Sequence, residues 1–321
     1  MNTLLKTASL ALALTVSGVQ AADLVVYTAG PKGLANKLVK DFEQQSGVGV
    51  QVYQATTGRV LGRLKAEEAK PVADVVILAS WPAGMGLQRE GLLHSIEIDN
   101  ADKLHPGWNG NNQLFGYSGS ALGITYNTRM VEEIPASVEA LASAEWEGQI
   151  VFPDPNESGS ALDFVTGYVN DKGDQAWELF QRWDEYDLAV NGANRPALNQ
   201  VVNGAKKAVI AGVDYMGFGE KKKGNPIEVI YPEEGTVIAP RPAMILESSD
   251  NKKKAEQFVT YLLSDRAQQI VADALLIPGR NDIPADSSRP GYADIKQLNI
   301  DWEWMLDNQV AVTQRFSGLF R

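Results

Sequence analysis

The sequence predicts an α/β protein of two lobes. Short β-type runs alternate with amphipathic helical stretches over the first 80 residues, the pattern of parallel strands joined by crossover helices. The alternation returns after residue 150, once the texture has changed near Gly116. Two extended apolar segments, near 121–126 and 236–246, flank the middle third, as in a chain that crosses between lobes and returns. A length of 321 residues suits two domains of ordinary size or one large one.

In chain order, residues 1–21 come first, with one early charge, Lys6, an apolar run Leu10–Val16 and the small-residue ending Val19-Gln20-Ala21. The run is too short to span a bilayer, so it reads as a secretory signal cleaved after Ala21, with a periplasmic destination. Leu24–Tyr27 is a strand closed by Thr28-Ala29-Gly30-Pro31, and Leu34, Leu38, Val39 and Phe42 mark the first helix. Val48–Tyr53, Arg59–Ala69 and Ala73–Ala79 continue as strand, helix and buried strand. After the extended run Ala121–Tyr126, the strand Val151–Phe152 breaks at Pro153-Asp154-Pro155, and a helical pattern runs from Ala161 to Val169. Further βα alternation passes through Val190, Ala208–Gly212 and Glu228–Tyr231. The extended Thr236–Leu246 and helical faces at Ala255–Leu263 and Ala267–Ala274 follow. The expected division is a first lobe of 22–122 plus 238–321 and a second of 123–237.

Charge narrows the partners. Forty acidic residues oppose 29 basic ones, a formal net charge of −11 that falls to about −12 once Lys6 is cleaved away. Such a surface argues against nucleic acid and anionic membrane, yet a local pocket of amides and cations can still hold a small anion. The chain has no cysteine, so an exported protein of this length must rest on core burial.

The best local site is Asn156-Glu157-Ser158-Gly159-Ser160-Ala161, where a strand ends and a helix begins. Free amides at a helix start, with the Ser158 and Ser160 hydroxyls, make an anion cradle, and Gly159 permits close approach. An ordinary serine cap has the same appearance. Thr57-Gly58-Arg59 repeats the logic in the first lobe, Arg59 being able to pair with a carboxylate or phosphate. Trp81, after Ser80, could close over a ligand or simply pack in the core. Asp214-Tyr215 and Glu234, near the chain crossings, could meet hydroxyls or an ammonium group, though surface carboxylates are common in loops. Thr28 and Asn191, at strand ends, complete the candidate set. Catalytic patterns are missing: His94 and His105 sit in no metal-binding spacing, and there is no nucleophile elbow, phosphate-binding P-loop or thiol. An enzyme is not expected, nor a resident cofactor or structural metal.

In this order, Thr57-Gly58-Arg59, Asp74-Val75-Val76, Gly123–Asn127, Trp146–Ile150, Asp154-Pro155, Ser158-Gly159-Ser160, Tyr231–Thr236 and Ser264–Gln268 resemble the periplasmic substrate-binding proteins of ABC importers. The subfamily is the ferric-iron-binding-like one, which includes phosphonate and sugar-phosphate binders. The resemblance covers almost the whole mature chain. It implies a type II periplasmic binding protein fold, hinge closure on a ligand, a monomer, and a membrane permease with its ATPase as partners. It also implies that Thr57, Gly58, Ser158, Gly159 and Ser160 hold an anion. The ferric binders carry two adjacent tyrosines where this chain reads Gly212-Val213-Asp214-Tyr215-Met216, and a histidine after the first strand that is absent here. The expected ligand is therefore a sugar phosphate or aminophosphonate, with ferric iron the alternative.

Overall fold

Residues 23–320 are described in the structure, a computed structural model, so the expected signal segment lies outside the described residues. β1 (Leu24–Thr28), α1 (Lys32–Ser46), β2 (Val50–Gln54), α2 (Thr57–Ala66), β3 (Val75–Ile77) and α3 (Trp81–Arg89) open the chain in regular alternation. β1 pairs in parallel with both β2 and β3. The apolar positions of α1 (Leu34, Leu38, Val39 and Phe42) are its buried ones, and its end is closed by Gly47 in the left-handed conformation.

After the short β4 (Leu93–His94) and β5 (Asn109–Gly110) comes β6 (Leu114–Asn127), fourteen residues buried throughout. Then follow β7 (Ile150–Phe152), α4 (Gly159–Lys172), α5 (Asp174–Glu185), β8 (Ala189–Val190), α6 (Asn194–Val202), β9 (Ala208–Val213), α7 (Asp214–Lys222) and β10 (Ile227–Ile230). β11 (Ile238–Leu246) returns, and α8 (Lys252–Leu262), α9 (Asp265–Asp273), β12 (Ile277–Pro278) and α10 (Trp302–Leu319) finish the chain.

The strand order is β2-β1-β3-β11-β6-β9-β7-β8. β6 and β11 are the crossing strands. Residues 115–121 of β6 run antiparallel to β11, and residues 122–126 run antiparallel to β9. Beyond them, β9, β7 and β8 repeat the parallel pattern in the second lobe. The protein is thus a two-lobed α/β fold with a cleft between the lobes. One apolar core gathers Leu24, Phe42, Phe115 and Phe258; another gathers Ile124, Phe152, Phe164 and Trp183. α10, which follows the return of the chain, packs through Val312 and Phe316 into this second core and through Leu306 against the cluster around α3.

Candidate functional site

A cavity of about 540 Å³ opens between the lobes where the carboxyl ends of their strands meet, the usual ligand position in open α/β sheets. Its second-lobe wall is the start of α4. Ser158 caps this helix, its Oγ accepting from the Ala161 amide at 3.2 Å. Ser160 Oγ lies 3.1 Å from Ser158 Oγ, and Asn194, opening α6, donates its Nδ2 to both at 2.8 and 3.0 Å. The Asn194 Oδ1 has no partner among the described residues. Gly159 is required here because a Cβ would come within 2.7 Å of Thr57 Oγ1, which belongs to the other lobe. Thr57 begins α2, buried, and accepts from the Ala79 amide at 3.2 Å. Arg59 and Lys32 line the same cavity, both exposed.

The floor is formed by the crossing strands. Arg241 lies on β11 at a shift of register against β6, between Pro240 and Pro242, neither of which can donate to the ladder. The arginine is 3% exposed. Its Nη1 donates to Ser120 Oγ at 3.2 Å, its guanidinium carbon sits 5.4 Å from the Tyr215 ring centroid, and its Nε has no partner among the described residues. Burial pushes the Tyr215 phenol up, against the opposing pull of Arg241. Arg195 also lines the cavity but is held by Glu220 at 2.8 Å. Among the described lining residues, Glu157, exposed, is the one carboxylate.

The structure thus brings together Thr57, Arg59, Ser158, Gly159, Ser160 and Tyr215, and sets the other candidates elsewhere. Gly58 faces a neighbouring groove with Pro155 and Asn156. Thr28 is buried beneath the cavity, its Oγ1 accepting from Gly30 N at 2.9 Å. Trp81 is a core residue, 4% exposed among Val60, Leu78 and Met244, because α3 turns its first residue inward. Ser80 caps α3 and donates at 2.6 Å to Asp163 Oδ1 on α4, a bond between lobes. Asn191 is exposed, its amide spent on the Phe152 carbonyl.

The two carboxylates expected at the cleft are both committed to the fold. Asp214 is fully buried, accepting from Arg289 Nη2 at 2.8 Å and Tyr231 Oη at 2.9 Å. Burial pushes its carboxyl up, with Arg289 pulling the other way. Glu234 accepts from the Val138 amide at 2.8 Å and does not line the cavity. Arg241, Asn194, Arg195 and Lys32 were missed by sequence reasoning. For Arg241 a signal existed: it is the lone charge in the otherwise apolar run Ile238–Leu246.

A family model described as bacterial extracellular solute-binding protein matches residues 70–308. The chain belongs to this family. This solute-binding protein is 27% identical over 281 residues to the major ferric iron-binding protein of Neisseria meningitidis serogroup A, covering 84% of each chain. It is 21% identical over 254 residues to a putative 2-aminoethylphosphonate-binding periplasmic protein of Salmonella typhimurium, covering 76% of this chain and 74% of that one. Its fold matches the periplasmic binding protein AfuA of Actinobacillus pleuropneumoniae, solved with fructose-6-phosphate, at a TM-score of 0.85 and 21% identity, over 92% and 98% of the two chains. The protein is therefore a periplasmic substrate-binding protein of the ABC-importer family, a family of transport proteins rather than enzymes.

Proposed function

We propose that the protein captures a small organic anion carrying a phosphoryl or phosphonyl group, closes its lobes over it, and delivers it as a monomer to a membrane permease and its ATPase. The hinge is formed by β6 and β11, with residues 123–237 moving against the rest of the chain and α10 travelling with them. The phosphoryl group sits at the start of α4, taking hydrogen bonds from Ser158, Ser160 and free amides, with Thr57 and Arg59 closing from the first lobe. The observation that carries this reading is the lining itself: a serine-capped helix start in one cavity with Lys32, Arg59, Arg195 and Arg241, against the single carboxylate Glu157.

The ferric alternative draws on the Neisseria relative. Ferric iron needs several anionic oxygen donors. The lining offers Tyr53, Tyr215 and the exposed Glu157 as acidic oxygen donors, Asp214 is paired with Arg289 outside the cavity, and no three His, Cys, Asp or Glu side chains gather as a metal site among the described residues. The donor set favours the organic anion. Thermal unfolding of the ligand-stripped protein against hexose phosphates, 2-aminoethylphosphonate, inorganic phosphate and ferric citrate tests the choice. A shift of several degrees with phosphorylated compounds alone supports the proposal. A shift with iron alone, accompanied by a visible tyrosinate-to-iron band, overturns it.

A further inference from the structure

Arg241 stands out from the other cations of the cleft. Lys32 and Arg59 are exposed and hydrated, and Arg195 has Glu220, whereas Arg241 is buried with no carboxylate within ion-pairing distance among the described residues. Guanidinium cannot shed its proton in a protein, so a buried arginine must find a negative partner or bear the full cost of desolvation. Asp163, the nearby buried acid, spends Oδ1 on Ser80 across the cleft. Burial pushes its carboxyl up to about 8, leaving it mostly protonated at neutral pH.

The topology also separates Arg241 from the serine cradle. Ser158 and Ser160 follow β7 and Asn194 follows β8, whereas Arg241 is on β11, and the order is β11-β6-β9-β7-β8. β11 pairs with residues 115–121 of β6 and β9 with residues 122–126, so Arg241 sits on the cavity floor at the crossing and the serines on the second-lobe wall, with no hydrogen bond between them among the described residues. Tyr215, which follows β9, stands beside Arg241 in the lining and offers its ring to a carbon skeleton. Of the carboxylates that might have met an ammonium, Asp214 and Glu234 are engaged away from the cavity, which leaves the exposed Glu157 in its lining.

We propose that the solute carries a second anionic group, a carboxylate at the end remote from its phosphoryl group, which pairs with Arg241. The substrate class is then a phosphorylated carboxylic acid rather than a neutral sugar phosphate or an aminophosphonate. This rests on the phosphoryl-binding reading above and narrows it.

Calorimetric titration of matched pairs tests it: 6-phosphogluconate against glucose 6-phosphate, 3-phosphoglycerate against glycerol 3-phosphate, and phosphonoacetate against 2-aminoethylphosphonate. The acidic member of at least one pair should bind at least tenfold more tightly, the size of one charge-assisted hydrogen-bonded contact. In Arg241→Lys and Arg241→Gln, checked for folding by ligand-free melting, that advantage should shrink to about twofold in the glutamine variant, with the lysine variant between. If neutral members or inorganic phosphate bind and no acidic member does better, the second charge is refuted while phosphoryl binding stands. An equal loss for both members of a pair in the glutamine variant also refutes it, since Arg241 would then meet the phosphoryl group. If no phosphorylated compound or inorganic phosphate binds the wild type, both readings fall together. The comparison within each pair uses wild-type protein, so it decides even if the variants do not fold.

Discussion

Asp163→Asn should flatten part of the pH dependence of stability. The Asp163 side chain is fully buried where α4 meets the start of α3; its Oδ1 accepts from Ser80 Oγ, and the Trp81 amide faces its carboxyl. Its Oδ2 has no partner among the described residues. Burial, the largest influence, raises its carboxyl from 3.8 to about 8, opposed by those hydrogen bonds and by Arg241. A folded-state value above the unfolded one means that the folded protein keeps a proton the unfolded chain has lost. Its stabilising contribution is therefore complete below about pH 4 and declines as pH rises toward 8, at about 1.4 kcal/mol per pH unit. Asparagine mimics the protonated acid and cannot titrate. Its amide nitrogen lacks a partner, which lowers stability by about 1–3 kcal/mol at every pH, so the informative quantity is the difference between the two proteins. Urea unfolding at pH 5, 6, 7 and 8, at fixed ionic strength and with unchanged m-values, should show that difference moving in favour of the variant by roughly 4 kcal/mol across the range. Parallel curves would show that Asp163 is ionised in the folded protein, and the reasoning would fail.

Three further changes probe the cleft and its surroundings. The double substitution Ser158→Ala, Ser160→Ala should weaken binding of a phosphorylated solute by well over tenfold in calorimetry, while the lost helix cap costs only about 1 kcal/mol of stability; unchanged affinity would remove both hydroxyls from the site. Gly159→Ala places a methyl group 2.7 Å from Thr57 Oγ1 and 3.2 Å from Ser80 Cβ, so the lobes cannot meet as closely. Solute affinity should drop at least tenfold with ligand-free stability within about 1 kcal/mol of wild type, and equal affinity would show that this contact is not part of the bound form. Arg289→Met leaves Asp214 buried without its cation and should destabilise the protein by about 3–5 kcal/mol in urea. Affinity of the folded fraction should be unchanged, and a selective loss of binding would return Asp214 to the site.

What was legible in the sequence was what the chain settles locally. The helix periodicity of Leu34, Leu38, Val39 and Phe42, the cap at Ser158 and the apolar crossing run near 121–126 are decided within a few residues, and each has its counterpart in the structure. The misplaced candidates depend on partners far along the chain. Asp214 is drawn inward by Arg289, 75 residues later, and Glu234 by the Val138 amide, 96 residues earlier. Trp81 follows a strand exactly where a cleft residue could stand, but the direction of α3 turns it into the core. The likeness between Ser158 and any other capped helix could be broken only by seeing Asn194, from the next βα unit, joined to both serine hydroxyls. Arg241 was readable in principle. A single arginine in a run of nine residues whose others are apolar or proline has either a buried partner or a ligand, and its hydrogen-bond partner among the described residues is the neutral Ser120.

The buried charges of the cleft follow from a chemical asymmetry between its acid and its base. Asp163 and Arg241 share one interior, and each feels the other's field. A carboxylic acid that cannot be solvated can take up a proton and remain as a neutral hydrogen-bonding group, which Asp163 does while joining the lobes through Ser80. Arginine has no such escape, since its guanidinium stays charged at any pH the protein survives. Were Asp163 ionised, it would serve as the counter-charge of Arg241, and the crossing strands would have nothing left to offer an anion. With Asp163 protonated, the positive charge on β11 is uncompensated from within, and a protein of net charge −11 overall can still present an incoming anion with a local site of opposite sign. The pH dependence of Asp163→Asn and the carboxylate preference of the cleft are therefore linked measurements, because the same proton on Asp163 is required by both.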